Sequence, residues 1–145
     1  MCLSIKINRP EHVLSEGVEC GHEWVTVHNG LGYRCGYVKV DPGHPWHGKA
    51  YGDIDAAVHG GLTFAEADVL CDKGGPDNGW WVGFDCAHGG DAQDPSLKSD
   101  PDPWSVLGGR DGVVRTQGYV DNECRKLCRQ AAAEARADSQ KGGAQ

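Results

Sequence analysis

Large aliphatic side chains are scarce in this chain, and so are phenylalanine and methionine. Leucine, isoleucine, valine and phenylalanine together account for only 26 of the 145 residues, and there is a single methionine. An aliphatic content this low lies near the level at which disorder becomes the expectation. It excludes a helical bundle or a coiled coil, whose packing seams are made of regularly spaced aliphatic residues. No run of 18 apolar residues occurs either, so we expect no membrane-spanning segment.

Positive charge is also in short supply. The chain has 14 Lys and Arg residues against 21 Asp and Glu residues, which gives a formal net charge of -7. Binding to duplex nucleic acid depends on clustered Lys and Arg that neutralise phosphates, so we expect no duplex nucleic acid partner. A small polar or anionic ligand held by a few donors remains compatible with this charge, because the field inside a pocket is local.

A leader sequence and a disulfide framework are not expected. Residues 1–16 contain no apolar run of signal-peptide length, which predicts a cytoplasmic protein, in the host cell cytoplasm if a phage encodes it. In that compartment the seven cysteines are expected to stay reduced, and an odd number cannot pair completely within one chain. Most of them therefore should be small buried apolar side chains.

Aromatic rings and glycines are what the chain has instead. Five Trp and four Tyr residues, each able to bury roughly 150–250 Å², compensate for the missing aliphatics, and 22 Gly and 7 Pro residues mark turns and loops. We predict a single α+β domain over residues 1–137 and a flexible C-terminal tail over 138–145. The domain should contain a mostly antiparallel sheet, long Gly-rich loops and a C-terminal helix packed on one face.

Local patterns predict several strands. Two runs of β-branched and aromatic residues, 24–28 and 33–40, flank an Asn29-Gly30 turn, which is typical of an antiparallel hairpin. Residues 80–85 also have the composition of a strand, and short extended pieces are expected at 54–58 and at Val113-Val114.

Three helices are expected. Apolar residues at helical spacing from Tyr119 onward predict the C-terminal helix. A short helix is expected within residues 8–20, where Pro10 suits a first turn. The capping-box pattern of 63–66 predicts another over 65–71, with a strand ending at Phe64 as the alternative.

Histidine and aspartate recur beside glycines where predicted strands end. His59 precedes Gly60 and Gly61, while Asp85, His88 and Asp91 surround a second glycine pair. Glycine lets the backbone approach a ligand closely, and imidazole with carboxylate serves either as an acid–base pair or as a mixed nitrogen and oxygen metal site. Alternatively, the histidines bond loop backbones and the aspartates cap turns.

We therefore predict two overlapping sets of functional residues. The acid–base set comprises His59, Asp85 and His88. The set of ligands for a divalent Zn, Mn or Fe ion comprises His59, Asp85, His88 and Asp91. A site without metal stays open as the alternative.

Strand alternation and one long loop predict further ligand contacts. In an extended 80–86 segment Trp80, Val82, Phe84 and Cys86 share one face, expected to be core, while Trp81, Gly83 and Asp85 share the other, expected to form a ligand wall. The loop 44–49 is expected to close over a pocket, or else to be a Pro-fixed surface turn that Trp46 anchors to the core. The predicted ligand contacts are Trp46, His47, Gly60, Gly61 and Trp81.

Two motifs carry a resemblance to a known group of proteins. The segments 59–63 (HGGLT) and 83–91 (GFDCAHGGD), with 35–38 and 43–49, are similar to a family of small proteins encoded by bacteriophages and bacteria. The likeness covers roughly residues 20 to 130. The family is largely described as hypothetical, so the resemblance implies a phage or prophage setting, favours accessory roles such as countering host defence, and implies no activity.

Three functions remain open on these observations. The first is a hydrolase-type enzyme acting on a small phosphorylated or nucleotide-like molecule through the His/Asp set. The second is a non-enzymatic binding protein that sequesters a small ligand or blocks a host protein. The third is a structural component of a larger assembly, which predicts exposed apolar patches and no polar pocket.

Overall fold

The computed structural model describes residues 12–67, 79–97 and 112–142, and in these ranges it contains seven strands and one long α-helix. In chain order the strands are β1 (Val13–Glu19), β2 (His22–His28), β3 (Arg34–Val40), β4 (Phe64–Ala67), β5 (Trp80–Asp85), β6 (Gly90–Ala92) and β7 (Gly112–Val114). The helix is α1 (Gln117–Gly142). The predicted α+β class is confirmed.

The first five strands form one antiparallel sheet in the order β1-β2-β3-β5-β4. The predicted hairpin is β2–β3, and its turn uses Gly30 and Gly32 in the left-handed region at φ of 85° and 89°. The side chain of Asn29 accepts a 2.8 Å hydrogen bond from the Leu31 backbone, as asparagine often does in turns. β6 and β7 pair separately, in parallel.

Helix α1 covers one face of the main sheet. Its apolar stripe, which includes Val120, Cys124 and Leu127, packs on inward side chains of β2, β3 and β5. Gly36 of β3 permits the close approach, because a Cβ at this position would overlap the Cys124 sulfur and the ring of Phe84. The predicted helix is thus confirmed, and so are the core positions of Val82, Phe84 and Cys86.

The opposite face of the sheet is also apolar. Strand alternation directs a second set of side chains there: Val25, Val27, Cys35 and Trp81 are buried, and Tyr37 and Phe64 pack against them. Trp81 is only 2% exposed. Its expected place in a ligand wall is therefore corrected, since the indole belongs to a second core.

The segment between β3 and β4 contains no strand, so the expected strand over 54–58 is wrong. A short 3-10 turn, Tyr51–Asp53, leads into Ile54, which is buried in the core beneath α1. The Ala57 backbone N–H donates to the side chain of Gln130 at 2.7 Å, and the Gln130 amide donates back to the Ala57 carbonyl at 2.9 Å. The Gln130 side chain thus satisfies the backbone N–H and carbonyl of Ala57, which a neighbouring strand would otherwise pair with.

Two predicted helices are strands where the structure describes them. Residues 13–19 form β1, because pairing with β2 satisfies their backbone groups, while residues 8–11 lie outside the described ranges. Residues 64–67 form β4 and pair with β5, so a strand begins at Phe64, where the alternative reading had one ending, and 68–71 lie outside the described ranges. The expected extended piece at Val113-Val114 is confirmed as part of β7.

α1 continues to Gly142, so the first part of the predicted tail is helical, and 143–145 lie outside the described ranges. Among the described helices, none combines the length and the apolar character needed to cross a membrane.

Candidate metal and acid–base site

Two tight turns bring His59, His88 and Asp91 together. His59 lies in the turn closed by the Gly61 backbone N–H on the Val58 carbonyl at 2.9 Å. His88 lies between β5 and β6, where the Asp91 N–H donates to the His88 carbonyl at 3.0 Å. Gly60 sits at φ 68°, and a Cβ there would overlap the His88 ring. The glycine beside His59 therefore makes room for the second imidazole.

Asp91 is the centre of the cluster and is almost fully buried, with 1% of its surface exposed. Arg115 Nε donates to Oδ1 at 2.8 Å, and the His88 backbone N–H donates to Oδ2 at 3.0 Å. His59 Nε2 lies 3.0 Å from Oδ1 and 2.9 Å from Oδ2. Burial would raise the pKa of this carboxyl, but these hydrogen bonds outweigh it and lower the pKa to about 2. Asp91 is therefore a permanent anion at neutral pH.

The contacts of His59 define its tautomer. Its Nε2 faces a carboxylate, which only accepts, so Nε2 carries the proton and donates to Asp91. Nδ1 then accepts from the Tyr119 hydroxyl at 2.9 Å. Burial, followed by the charge of Glu123, raises the pKa of Tyr119, so this hydroxyl keeps its proton and can donate. Tyr119, His59 and Asp91 form one hydrogen-bonded chain.

His88 contributes a ring nitrogen without a hydrogen bond. Its Nδ1 is buried and has no hydrogen-bond partner within the described part of the chain. The same atom lies 3.7 Å from Asp91 Oδ2 and 3.6 Å from Asp85 Oδ1, just beyond hydrogen-bonding range. A buried polar atom left unpaired costs free energy, and coordination of an ion is one way in which such an atom is satisfied.

The geometry of the three side chains fits a divalent ion. One ligand atom from each of His59, His88 and Asp91 lies within 4.8 Å of the other two. Tetrahedral coordination at about 2.1 Å requires ligand atoms roughly 3.4 Å apart, and the separations of 2.9 and 3.7 Å to Asp91 bracket this value. His59 would bind through Nε2 after its proton moves to Nδ1, which then donates to Tyr119, as metal-bound histidines commonly do.

Asp85 lies at the edge of this cluster rather than within it. The Thr63 hydroxyl donates to Oδ2 at 3.1 Å, and the Ala87 backbone N–H donates to Oδ1 at 3.1 Å. Asp85 touches the group only through His88, and it is not among the three residues whose ligand atoms converge. It instead faces an open cavity.

This cavity has a volume of about 570 Å³, within the range of small-molecule sites. Its apolar lining consists of Cys35, Tyr37, Phe64 and Ala87. Its polar lining consists of Asn29, Thr63, Asp85 and His88. His88 lines this cavity and also belongs to the candidate ion cluster of His59, His88 and Asp91, so a molecule in the cavity can contact the cluster.

The thiols near the site are unsuited to nucleophilic attack. Burial, with a further contribution from nearby carboxylates, raises the pKa of Cys35 and Cys86 to about 12. Attack requires the thiolate, so both act as neutral apolar groups at physiological pH. This agrees with the structural role predicted for Cys86.

The predicted ligand contacts in the loop 44–49 lie elsewhere. Trp46 is buried in the core, and His44 Nε2 donates to the Ala131 carbonyl of α1 at 2.7 Å, so the loop is anchored to the helix. The ring of His47 lies 5.9 Å from that of Trp80, at the start of β5. Asp85 ends the same strand, about 17 Å away at about 3.3 Å per residue. Gly60 and Gly61, by contrast, lie at the cluster.

Two residues of the site, Arg115 and Tyr119, are not among the predicted site residues. Arg115 reaches Asp91 because β7 pairs with β6 in register, with Val113 opposite Asp91. Tyr119 lies in the first turn of α1, where the Thr116 hydroxyl and carbonyl accept from the backbone of residues 119 and 120. Arg115 follows the predicted extended piece at Val113-Val114, and Tyr119 follows Gly118, but neither is a histidine or an aspartate beside a glycine pair, the pattern that indicated His59, His88 and Asp91.

Comparison of the chain with protein-family models, with curated proteins and with solved structures finds no match.

Proposed function

We propose that this chain is a small phage-type accessory enzyme, in which His59, His88 and Asp91 hold one Zn, Mn or Fe ion and a small phosphorylated, nucleotide-like molecule is hydrolysed. One observation carries the proposal: the unpaired, buried Nδ1 of His88 lies beside the buried anion Asp91 and next to a cavity. A divalent ion held there supplies Lewis-acid chemistry for a phosphoryl group.

The chain's own residues have separate roles in this proposal. Asp91 and His59 fix the geometry, because Arg115 and Tyr119 hold them from outside the cluster. Asp85 lies on the cavity side of His88, where it would bind the part of the substrate that fills the cavity. Water that attacks phosphorus gives up its proton to solvent, and the P–O bond to the leaving group breaks as its oxygen takes a proton from solvent.

The test is phosphate release from a panel of nucleoside mono-, di- and triphosphates, with chelated protein and with protein resupplied with Zn²⁺ or Mn²⁺. We expect turnover only after metal is added, and a loss of at least about 100-fold in His88→Ala and in Asp85→Ala. His47→Ala is the matched control and should keep wild-type rates, because His47 lies at the other end of β5. Equal turnover in the chelated protein or in His88→Ala would refute the proposal.

A second candidate is a binding protein without catalysis, and the contacts of Asp91 favour it. The Arg115 guanidinium already balances the charge of this carboxylate, and His59 donates a hydrogen bond to it, so Asp91 is satisfied without an ion. In that case the ligand, a small molecule or part of a host protein, is sequestered in the cavity. Recovery of a tightly bound, chemically unchanged ligand after denaturation would favour this second function over the first.

A further inference from the structure

The cavity beside His88 has a lining that selects for one kind of ligand. Tyr37 and Phe64 flank Gly83 in neighbouring strands, since Phe64 and Tyr37 both pair with Gly83 across the sheet. Their rings meet edge to face at 5.1 Å. A Cβ on Gly83 would overlap the Tyr37 ring, so the missing side chain lets the rings lie across the strand. Because the two rings stand nearly perpendicular, a flat ligand ring can stack on the face of one and contact the edge of the other.

Charge in the cavity favours a hydrogen-bond donor over an anion. Among the described residues that line it, Asp85 is the one fixed charge, and neither Lys nor Arg is present. Burial raises the pKa of Cys35 and also that of Tyr37, so both stay neutral. A phosphate therefore finds no positive charge to bind in this part of the cavity, whereas an N–H group can donate a hydrogen bond to the Asp85 carboxylate.

Asp85 has room for two such donors. Each of its oxygens already accepts one hydrogen bond, Oδ2 from Thr63 and Oδ1 from the Ala87 backbone. A carboxylate offers about four acceptor positions, so roughly one position on each oxygen remains. Two parallel donors on one ligand edge match this arrangement, as in other bidentate pairs with a carboxylate.

We propose that the cavity binds a guanine ring, with its ring N–H and its 2-amino group on Asp85 and its face against Tyr37 and Phe64. Guanine is the common nucleobase that presents these two adjacent donors at neutral pH. The guanidinium head group of arginine shares the donor pair but lacks the flat ring system. The inference rests on the proposed function for the far end of the ligand, because the sugar and phosphate then extend toward His88 and the ion cluster.

Calorimetric titration with nucleosides in the presence of a chelator tests the ring site alone. We expect guanosine to bind, and inosine, which lacks the 2-amino group, to bind at least about tenfold more weakly, because one charge-assisted hydrogen bond is lost. Adenosine and methylguanidine should bind more weakly than guanosine. Equal affinity for guanosine and inosine, tighter binding of methylguanidine, or no nucleoside binding would overturn the assignment.

Three variants separate recognition of the ring edge from packing. Asp85→Asn should remove the preference for guanosine over inosine, because an amide offers a donor where two acceptors are needed. Phe64→Ala should weaken both nucleosides equally and keep the preference. Asp53→Asn, on an exposed turn, is the matched control and should bind like wild type. A preference that survives in Asp85→Asn would contradict the proposal.

Failure of this inference is distinct from failure of the proposed function. Metal-dependent turnover of other phosphate esters without guanosine binding would refute the guanine site and leave the hydrolase intact. Guanosine binding that depends on Asp85, without metal uptake or turnover, would leave the ring site intact and refute the hydrolase.

Discussion

At the scale of single residues, the site depends on how one buried carboxylate is held. Asp91 accepts from a guanidinium, an imidazole and a backbone N–H, and each contact comes from a different part of the chain. The imidazole of His88, by contrast, depends on free space, because its ring occupies the position that a Cβ of residue 60 would take. The two glycines after His59 are therefore not equivalent.

Replacing each of these glycines by alanine separates the two effects. Gly60 and Gly61 both lie in the left-handed region, at φ of 68° and 82°, so each substitution should cost about 1–2 kcal/mol of backbone strain. Only Gly60→Ala also displaces the His88 ring, because no atom lies within 4 Å of a Cβ at Gly61. We expect Zn²⁺ affinity, measured by titration calorimetry, to fall at least about tenfold in Gly60→Ala and to stay near wild type in Gly61→Ala. Similar metal affinities in the two variants would show that contact with Gly60 does not position His88.

At the scale of elements, β6 and β7 are joined to the main sheet through β3. Arg34 of β3 donates from Nη1 to Asp94 at 2.7 Å and to the Arg115 carbonyl at 3.0 Å. This guanidinium is largely buried, and the Asp94 carboxylate compensates for the hydration that its charge has lost. The pair positions both strands that support the ion cluster.

Asp94→Asn tests this connection through its dependence on pH. Hydrogen bonds from Ser96, together with Arg34, lower the pKa of Asp94 and outweigh its burial. A carboxyl whose pKa is lower in the folded than in the unfolded state stabilises the fold at pH values above the unfolded-state pKa of about 3.9. This contribution is lost as pH falls through the folded-state pKa. We expect the variant to be less stable by about 1–3 kcal/mol at pH 7 in urea unfolding, with the difference shrinking below pH 4. A difference that is constant from pH 7 to pH 2.5 would argue against the ion pair.

At the scale of the whole molecule, a chain poor in aliphatic residues builds two apolar layers on one sheet. Alternating side chains of β2, β3 and β5 supply a core under α1 and a second core on the other face. Tryptophan contributes to both, through Trp24 and Trp46 on the helix side and Trp81 on the other. Buried thiols fill much of the remaining space.

Thiol labelling tests this two-layer packing. Five cysteines of the described part are free, and Cys20 is the exposed one among them. Burial raises the pKa to about 12 for the other four, Cys35, Cys86, Cys124 and Cys128. Treatment with iodoacetamide at pH 8, with sites mapped by peptide mass spectrometry, should modify Cys20 rapidly and these four only after unfolding in guanidinium. Rapid native labelling of Cys35 or Cys124 would contradict the packing.

Short-range patterns explain what could be predicted from the sequence. The β2–β3 hairpin and α1 follow from Asn29-Gly30 and from helical spacing, and glycine-flanked strand exits indicated His59, His88 and Asp91. Long-range pairing explains the rest. The Gln130 side chain binds the backbone of Ala57, where a strand was predicted. The pairing of β7 with β6 brings Arg115 to Asp91. Trp81 is buried in the second core and so does not line the predicted ligand wall. Such contacts depend on tertiary packing, which local propensity does not encode.

Native mass spectrometry tests most directly whether His59, His88 and Asp91 bind one divalent ion. Protein stripped with a chelator and then equilibrated with one equivalent of Zn²⁺ should carry a single ion in the wild type and in His47→Ala. In His88→Ala the adduct should be lost, while circular dichroism remains that of the folded chain. A wild-type protein that takes up no ion, or an equal adduct in His88→Ala, would contradict the account.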